Sequence, residues 1–344
     1  MTTDTKITHL LSEAFAEAPT VESITKLHGD ASYRTYYRLF LKDGRSYIVM
    51  QLPEGKASAS EEITNFSGTI EETPFQNVQR FLKSNAIPVP DIIFFSPDLR
   101  MMLLEDCGDT LLYTKVAQTS DTDKLFWYGK AVDLLSTIQA QCGTARPHEC
   151  IALQRSFDAT LLNWEFAHFI EWAIDARRNE ALPEKVQKEC RAITNRITKA
   201  ITELPYGFTH RDYQSRNILI QNDSLVVIDF QDALRGPYIY DLVALLRDSY
   251  VTLSADVLQK LIGQYAALRD MPLLEVQSAF DLVTVQRKLK DAGRFVYIDR
   301  VKGNPNYLEF IPTSLGYARD ALNRINDGPE LLALLTPYVP EWQS

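Results

Sequence analysis

The sequence predicts an α+β fold in which a small unit of antiparallel strands, residues 1–107, precedes a larger and mainly helical unit, residues 108–344. The first unit contains two pairs of short β-branched and aromatic segments separated by turn residues, which is the pattern of β-hairpins. After Asp106–Asp109, apolar residues instead recur every three or four positions, as in amphipathic helices. Strands followed by helices indicate an α+β arrangement, and a cleft between two such units is a usual place for a ligand.

The first half of the smaller unit is predicted to hold a helix and a hairpin. Apolar residues within positions 7–15 fall at helical spacing, so a short amphipathic helix begins the chain. Thr35–Leu41 and Arg45–Gln51 flank Asp43-Gly44, and Asp-Gly supplies the positive φ of a tight hairpin turn. Residues 52–74 are polar and aperiodic, which predicts a loop with short helical pieces.

The second half of this unit repeats the pattern. Phe75–Asn85 predicts a helix that ends before Ile87–Pro90, because a proline disfavours helix in the residue before it. Ile92–Phe95 and Met101–Glu105, on either side of a Ser-Pro-Asp turn, predict a second hairpin.

The larger unit is predicted to contain helices interrupted by one hairpin. The strands are Ile218–Gln221 and Leu225–Phe230, joined by an Asn-Asp turn. Helical spacing covers Leu125–Ala140, Phe157–Arg178, Val186–Thr202, a segment from Ile239, Ala255–Leu268, Leu273–Tyr297 and Thr313–Ile325.

Composition excludes several classes of protein. Lys and Arg number 36 against 45 Asp and Glu, a formal net charge of −9, which argues against a protein that coats nucleic acid or anionic membrane. The first residues lack the basic head and apolar run of a signal peptide, and no stretch has the roughly 18 apolar residues of a membrane span. The four cysteines form no CxxC pair, so we expect reduced thiols in a cytoplasmic protein without nucleic-acid or membrane partners.

The segment His210–Asn217 and the aspartate that ends the following hairpin carry the predicted chemistry. Asp212 can accept the proton of an attacking hydroxyl, while Asn217 and Asp229 offer the hard oxygen ligands that Mg²⁺ prefers. The turn between the two strands folds the chain back, so that both metal ligands can reach one site. An Asp, an Asn five positions on and an Asp after an apolar strand match the catalytic-loop pattern of protein kinases.

With these motifs the chain resembles the aminoglycoside phosphotransferase and choline kinase group of small-molecule kinases, which share the bilobal protein-kinase-like fold. Asp229-Phe230-Gln231 stands where protein kinases have Asp-Phe-Gly, which favours the small-molecule branch. Three further segments are similar to the bacterial anomeric sugar kinases of cell-wall recycling, which phosphorylate N-acetylmuramic acid and N-acetylglucosamine at C1: residues 29–38, 232–248 and 286–293. The resemblance implies ATP and Mg²⁺ as cofactors, a nucleotide-binding first lobe and a catalytic, substrate-binding second lobe.

The resemblance also implies nucleotide contacts in the first lobe. Gly29, Asp30, Ala31 and Ser32 would form the turn that covers the phosphates, because glycine lets backbone N–H groups approach closely and Ser32 adds a hydroxyl. Arg34 would help to hold phosphate, or would be a solvated charge. Glu105 lies in the segment that resembles the hinge, whose backbone groups pair with adenine.

One departure concerns the lysine that the family usually places on the second strand of the first hairpin. Tyr47–Gln51 contains no lysine, and Phe75–Asn85 offers no well-placed glutamate. Lys56, Arg34 and Arg38 all remain open as replacements.

For the acceptor sugar, the candidate residues are Gln231, Asp232 and Arg235, which follow the metal ligand, and Glu165 on the long helix. Trp164 and Trp172 offer aromatic faces to a sugar, but their helical spacing is typical of core residues. The other interpretations are a kinase for an aminoglycoside or choline-like acceptor, and a nucleotide-binding module without turnover. The sequence leaves the anomer, the choice between ATP and GTP, and the oligomeric state open.

Three residues near the motif have structural alternatives. His210 is expected to be buried beneath the loop. Arg216 either meets the transferred phosphate or pairs with an acid. Asp241, at the start of an apolar helix, is expected to cap that helix or to brace the catalytic loop.

Overall fold

The computed structural model describes residues 2–27, 34–53, 72–143 and 145–343. The first part of the chain forms a five-stranded antiparallel sheet in the order β1-β2-β3-β5-β4. Its strands are β1 (Val21–Lys26), β2 (Thr35–Leu41), β3 (Ser46–Gln51), β4 (Ile92–Ser96) and β5 (Met101–Glu105). Both predicted hairpins are confirmed, and Gly44 adopts a φ of +84° in the turn of the first. Strand β1 was not predicted.

A helix covers each face of this sheet, α1 (Thr3–Ala14) on one and α2 (Pro74–Ser84) on the other. Side chains of a strand alternate between its faces. Val49 and Leu103 accordingly join a core cluster with helix α1, whereas Met50 and Leu104 join the main core with α2. The predicted helices at residues 7–15 and 75–85 are therefore confirmed, with their apolar stripes on the sheet.

The rest of the chain is mainly helical. Its helices are α3 (Leu112–Val116), α4 (Asp121–Cys142), α5 (Ala159–His168), α6 (Glu184–Thr202), α7 (Tyr240–Leu246), α8 (Ala255–Leu268), α9 (Leu273–Lys302), α10 (Ile311–Leu322) and α11 (Gly328–Leu335). Two small antiparallel sheets are formed by β6 (Tyr206–Thr209) with β9 (Leu234–Pro237) and by β7 (Ile218–Gln221) with β8 (Ser224–Val227). The fold is thus α+β and kinase-like, as predicted.

Several boundaries differ from the prediction. The expected strand Leu225–Phe230 ends at Val227, because Asp229 turns the backbone to a φ of +66°. The expected helix Phe157–Arg178 consists of α5 followed by a π-helical segment, Phe169–Ala176. Helices α3 and α11 and the β6–β9 pair were not predicted.

Some predictions fall outside the described residues. These include Gly29, Asp30, Ala31, Ser32, Lys56 and most of the loop predicted at residues 52–74. The division of the chain into units at residue 107 remains a prediction. Within the described part of the chain, no helix has the length and apolar character needed to cross a membrane. All four cysteines are buried free thiols.

Helix α9 and the π-helical segment approach closely at Gly293. A Cβ at this position would lie 2.9 Å from the carbonyl oxygen of His168 and 2.9 Å from the Cα of Phe169. Both obstacles are backbone atoms, so relief requires the two elements to move apart. The glycine is what allows this contact between α9 and the segment.

We therefore expect Gly293→Ala to lower the free energy of unfolding by about 1–3 kcal/mol, as overpacking does. Gly263→Ala in helix α8 is the matched control, because nothing lies within 4 Å of the added methyl group. The control is expected to raise stability by up to about 1 kcal/mol, since alanine favours helix over glycine. Urea unfolding of both variants measures the difference, and equal stability of the two would contradict the close-contact account.

Candidate active site

The loop His210–Asn217 connects β6 to β7, and two buried carboxylates at the two ends of α7 hold it. Asp241 accepts hydrogen bonds from the backbone N–H groups of His210 at 2.7 Å and Arg211 at 2.9 Å. Asp248 accepts one from the N–H of Ser215 at 2.9 Å and another from its hydroxyl. Burial raises the pKa of Asp241 to about 7, although the two N–H donors oppose this shift. Asp241 therefore braces the loop, as the sequence predicted.

Arg211 takes an unusual backbone conformation in this loop, with a φ of +78°. Its guanidinium lies 3.5 Å from Glu165 Oε1, and the other carboxylate oxygen of Glu165 accepts a hydrogen bond from Gln286. Glu165 is wholly buried. The prediction placed Glu165 against the acceptor, but in the structure it has no exposed surface and supports the loop from behind.

Asp212 lies at the centre of the loop with its side chain 35% exposed. Arg287 of helix α9 donates a hydrogen bond from Nη2 to Asp212 Oδ1 at 3.3 Å. Burial acts to raise the pKa of Asp212, but the positive charges of Lys290, Arg287 and Arg211 outweigh it, and the pKa lies below its ordinary value. The carboxylate is therefore ionised at neutral pH and able to accept a hydrogen bond.

The hairpin β7–β8 brings Asn217 and Asp229 together, as the sequence predicted. Asn217 Nδ2 donates to the carbonyl oxygen of Asp212 at 2.9 Å and lies 3.4 Å from Asp229 Oδ2. Nδ2 is thus the atom of this amide that faces Asp229, and the amide oxygen is the atom that could bind a cation.

The charges around Asp229 suit a cation. The Asp229 side chain is exposed to solvent on one side but crowded by protein on the others. This desolvation raises its pKa to about 6; Asp212 and Asp232 add to the shift, whereas the amide of Gln231 and the charge of Arg34 oppose it.

A magnesium ion fits this donor set. No cluster of three or more His, Cys, Asp or Glu with metal-binding geometry occurs among the described residues. Mg²⁺ sites in phosphate-transferring enzymes use one or two protein carboxylates and complete their shell with phosphate oxygens and water. The amide oxygen of Asn217 and the carboxylate of Asp229, with further negative charge from Asp212 and Asp232 nearby, match that pattern.

Gln231 and Asp232 join the same cluster. Gln231 Nε2 donates to Asp229 Oδ1 and to Asp232 Oδ2, both at 2.9 Å. Its Oε1 is buried without a hydrogen-bond partner among the described residues.

Arg235 does not join this cluster. It lies on β9, opposite Phe208 of β6, and it lines a separate surface cavity of about 250 Å³ with Gly143, Pro147 and Phe208. The charge of Arg235 opposes the rise in the pKa of Tyr206 that burial and the charge of Asp158 cause. The prediction that Arg235 faces the acceptor is therefore not supported by the geometry.

On the sheet side, Arg34 and Tyr36 lie near Asp229, whereas Arg38 pairs with other carboxylates. Arg34 forms a hydrogen bond with Tyr36. The charge of Arg34 opposes the rise in the pKa of Asp229, and the charge of Asp229 acts to raise the pKa of Tyr36. Arg38 is engaged at the hinge, with Nε 2.9 Å from Asp106 Oδ2 and a further ion pair to Asp109. The N–H of Glu105 donates to the carbonyl oxygen of Asp91 at 2.9 Å, and the Glu105 carboxylate accepts a hydrogen bond from the N–H of Asp91 at 3.1 Å.

His210 and Arg216 are placed as structural residues. Burial lowers the pKa of His210 to about 4, and its Nε2 lies 3.1 Å from the carbonyl oxygen of Ile228. The Arg216 guanidinium lies 3.8 Å from the ring centroid of Tyr250 and 4.8 Å from that of Tyr113. Arg216 thus lies among aromatic rings, which the sequence analysis did not predict.

The sequence analysis assigned no role to Asp248, Tyr36 or Arg287. The available signal for Arg287 was a run of polar residues, Gln286–Lys288, in a helix that is otherwise amphipathic. Charged side chains on the buried face of a helix indicate that groups from other elements pair with them.

Comparison with known proteins identifies relatives across nearly the whole chain. An N-acetylmuramate/N-acetylglucosamine kinase of Pseudomonas aeruginosa is 28% identical over 332 residues, covering 94% of this chain and 91% of the relative. A protein of the same name from Neisseria meningitidis is 28% identical over 324 residues, covering 92% and 90%.

Solved structures share the fold at lower identity. The choline kinase LicA of Streptococcus pneumoniae superposes with a TM-score of 0.63 at 16% identity, covering 92% of this chain and 99% of that one. An ADP-bound aminoglycoside phosphotransferase gives 0.62 at 14% identity, covering 93% and 99%. These similarities show the kinase-like fold.

The family model described as "Phosphotransferase enzyme family" matches residues 23–275. This span includes the sheet, the hinge, the loop with Asp212 and Asn217, and Asp229. The chain therefore belongs to the phosphotransferase enzyme family, and it is an enzyme of that family.

Proposed function

We propose that this enzyme is an ATP-dependent kinase that transfers the γ-phosphoryl group to the C1 hydroxyl of N-acetylmuramic acid or N-acetylglucosamine, in the recycling of cell-wall sugars. The observation that carries the proposal is the convergence of Asp212, Asn217 and Asp229 at one site. The names of the relatives that align over more than nine tenths of the chain support the choice of acceptor.

Asp212 acts as the proton acceptor. Its ionised carboxylate is held through Oδ1 by Arg287, which leaves Oδ2 to accept the hydrogen bond of the attacking hydroxyl and then its proton. An anomeric hydroxyl is more acidic than an ordinary alcohol, so a carboxylate of low basicity is adequate. Asp241 and Asp248 hold the loop, and the fixed Asp212 carboxylate then orients the acceptor oxygen toward the phosphorus.

Asn217 and Asp229 would hold Mg²⁺, which when bound neutralises the charge that develops on the transferred phosphoryl group. Arg34 approaches from the sheet side and adds positive charge near Asp229. The backbone of Gly29–Ser32 and the hinge at Glu105 are proposed to hold the phosphates and the adenine, as the family resemblance implies. The choice of ATP is supported by that resemblance.

Gln231 and Asp232 are proposed to face the acceptor. Asp232 accepts a hydrogen bond from a hydroxyl of the acceptor, and Gln231, whose side chain is buried, holds the Asp232 carboxylate in place through Nε2. Gln231 donates a hydrogen bond directly to Asp229, and Asp232 is linked to Asp229 through Gln231. An acceptor bound at these residues is therefore held beside the proposed metal site.

The acceptor is tested by ADP release from Mg·ATP with N-acetylglucosamine, N-acetylmuramic acid, choline and kanamycin. Turnover is expected with the amino sugars and is expected to fall by roughly 10²–10⁴-fold in Asp212→Asn, because the amide cannot accept the proton. ATP binding by this variant, measured by calorimetry, should be unchanged. Turnover with choline or kanamycin alone would contradict the amino-sugar assignment.

The metal site is tested by titrating Mg²⁺ against activity. Asp229→Asn should raise the Mg²⁺ concentration for half-maximal turnover at least about tenfold, because a charged ligand is lost. Asp223→Asn is the control, since Asp223 is an exposed carboxylate on the turn of the same hairpin. An unchanged Mg²⁺ requirement in Asp229→Asn would remove this residue from the metal site.

A further inference from the structure

We propose that Arg287 is a positioning residue that holds the catalytic aspartate and the preceding peptide of the loop in the orientation required for phosphoryl transfer. This rests on the proposed function only in assigning Asp212 as the proton acceptor. The contacts of Arg287 are with Arg211, Asp212, Tyr240 and Asp291.

The geometry of Arg287 joins two adjacent residues of the loop. Its Nη1 donates to the carbonyl oxygen of Arg211 at 2.7 Å, and its Nη2 donates to Asp212 Oδ1 at 3.3 Å. The side chain is only 2% exposed, and its guanidinium lies 5.0 Å from the ring centroid of Tyr240. The side chain is thus fixed by packing before it reaches the loop.

The backbone at Arg211 explains why a second anchor is useful. A φ of +78° is a sparsely populated conformation for a residue with a side chain. Asp241 binds the N–H of this residue and Arg287 binds its carbonyl, so both polar groups of the strained residue are held. The direction in which Asp212 leaves the backbone follows from this conformation.

The chemistry favours arginine over lysine. A planar guanidinium presents parallel N–H groups that reach a carbonyl and a carboxylate together, whereas an ammonium group acts as a point charge. One carboxylate oxygen of Asp212 is then occupied, which leaves the other directed to the acceptor. Rotation of the carboxylate is correspondingly restricted.

Burying this cation has a cost, although the nearby carboxylates of Asp291 and Asp212 outweigh it for the charged form and raise the pKa of Arg287 above its ordinary value. An unpaired buried charge is strongly destabilising, and even a paired one is often no better than an apolar residue of similar size. Asp212 is half-exposed and Asp291 Oδ2 lies 4.0 Å from Arg287 Nε. Stability alone is therefore a weak reason for an arginine here, whereas orientation of the base is a sufficient one.

Arg287 lies outside residues 23–275, the span that matches the family model. The residue that fixes the catalytic aspartate thus comes from helix α9, beyond the family motif. It is brought to the loop by the packing of α9 on α7 and on the π-helical segment.

The experiment compares Arg287→Met, Arg287→Lys and Arg287→Ala by steady-state kinetics with the amino sugar that supports turnover. We expect kcat to fall by about 10–100-fold in Arg287→Met, the order of loss caused by a misplaced catalytic group. The KM for ATP should change less than about twofold, because the residue does not touch the nucleotide site. Arg287→Lys should retain an intermediate kcat, since it keeps the charge and only one of the two hydrogen bonds.

Rescue separates positioning from a general loss of structure. Guanidinium ion at millimolar concentration should restore part of kcat in Arg287→Ala, which leaves space for it, and should not restore Asp212→Asn. Arg177→Met is the control for loss of a partly buried arginine, because Arg177 pairs with Glu341 away from the loop. This control is expected to lose stability and to keep kcat.

A crystal structure of Arg287→Lys or Arg287→Met gives a readout that does not depend on the acceptor. The Asp212 carboxylate is expected to be displaced or to occupy more than one rotamer. A folded Arg287→Met with wild-type kcat, or a variant structure with Asp212 in its original position, would overturn the proposal. Absence of turnover by the wild-type enzyme with every acceptor would instead overturn the proposed function, and the structural comparison would still decide the role of Arg287.

Discussion

The geometry of this site depends on the hydrogen bonds between two buried carboxylates and the backbone of the catalytic loop. A buried N–H group without a partner costs about 1–3 kcal/mol, and a loop of eight residues offers few partners of its own. Asp241 and Asp248 supply them from the two ends of one short helix, α7. Asp241 in α7 and Asp248 just after it thereby fix the two anchored parts of the loop relative to each other, with Asp212 between them and Asn217 two residues after Ser215.

The same arrangement gives two nearby carboxylates different charge environments. Asp212 has Lys290 and Arg287 as neighbours, whose charges outweigh its burial and lower its pKa, whereas burial raises the pKa of Asp229 and the charges of Asp212 and Asp232 add to that shift. Pairs of titratable groups whose surroundings separate their pKa values commonly have separate roles. Here the lowered group is already compensated by protein cations, and the raised group is the one that a bound cation would stabilise.

The sequence predicted the parts of the site that are local. Asn217 and Asp229 are joined by one hairpin, so their spacing and the turn between them determine their approach. The role of Arg287 depends on a contact across 75 positions, so the polar run Gln286–Lys288 indicates a buried charge but does not identify its partner. Arg235 is a case in which closeness along the chain gave a wrong prediction. It lies six residues after Asp229, but β9 pairs with β6 and carries the Arg235 side chain to another surface. Strand β1 escaped prediction because its exposed, polar sequence lacks an apolar alternation.

Side chains along β2 alternate between the two faces of the sheet. Leu39 joins the cluster under α1, and residues of the other parity point to the opposite face. Arg34, Tyr36 and Arg38 share that second face. Arg38 is committed to Asp106 at the hinge, while Arg34 acts on Asp229. Neighbouring residues of this segment therefore provide both the ion pair to Asp106 and a positive charge near Asp229.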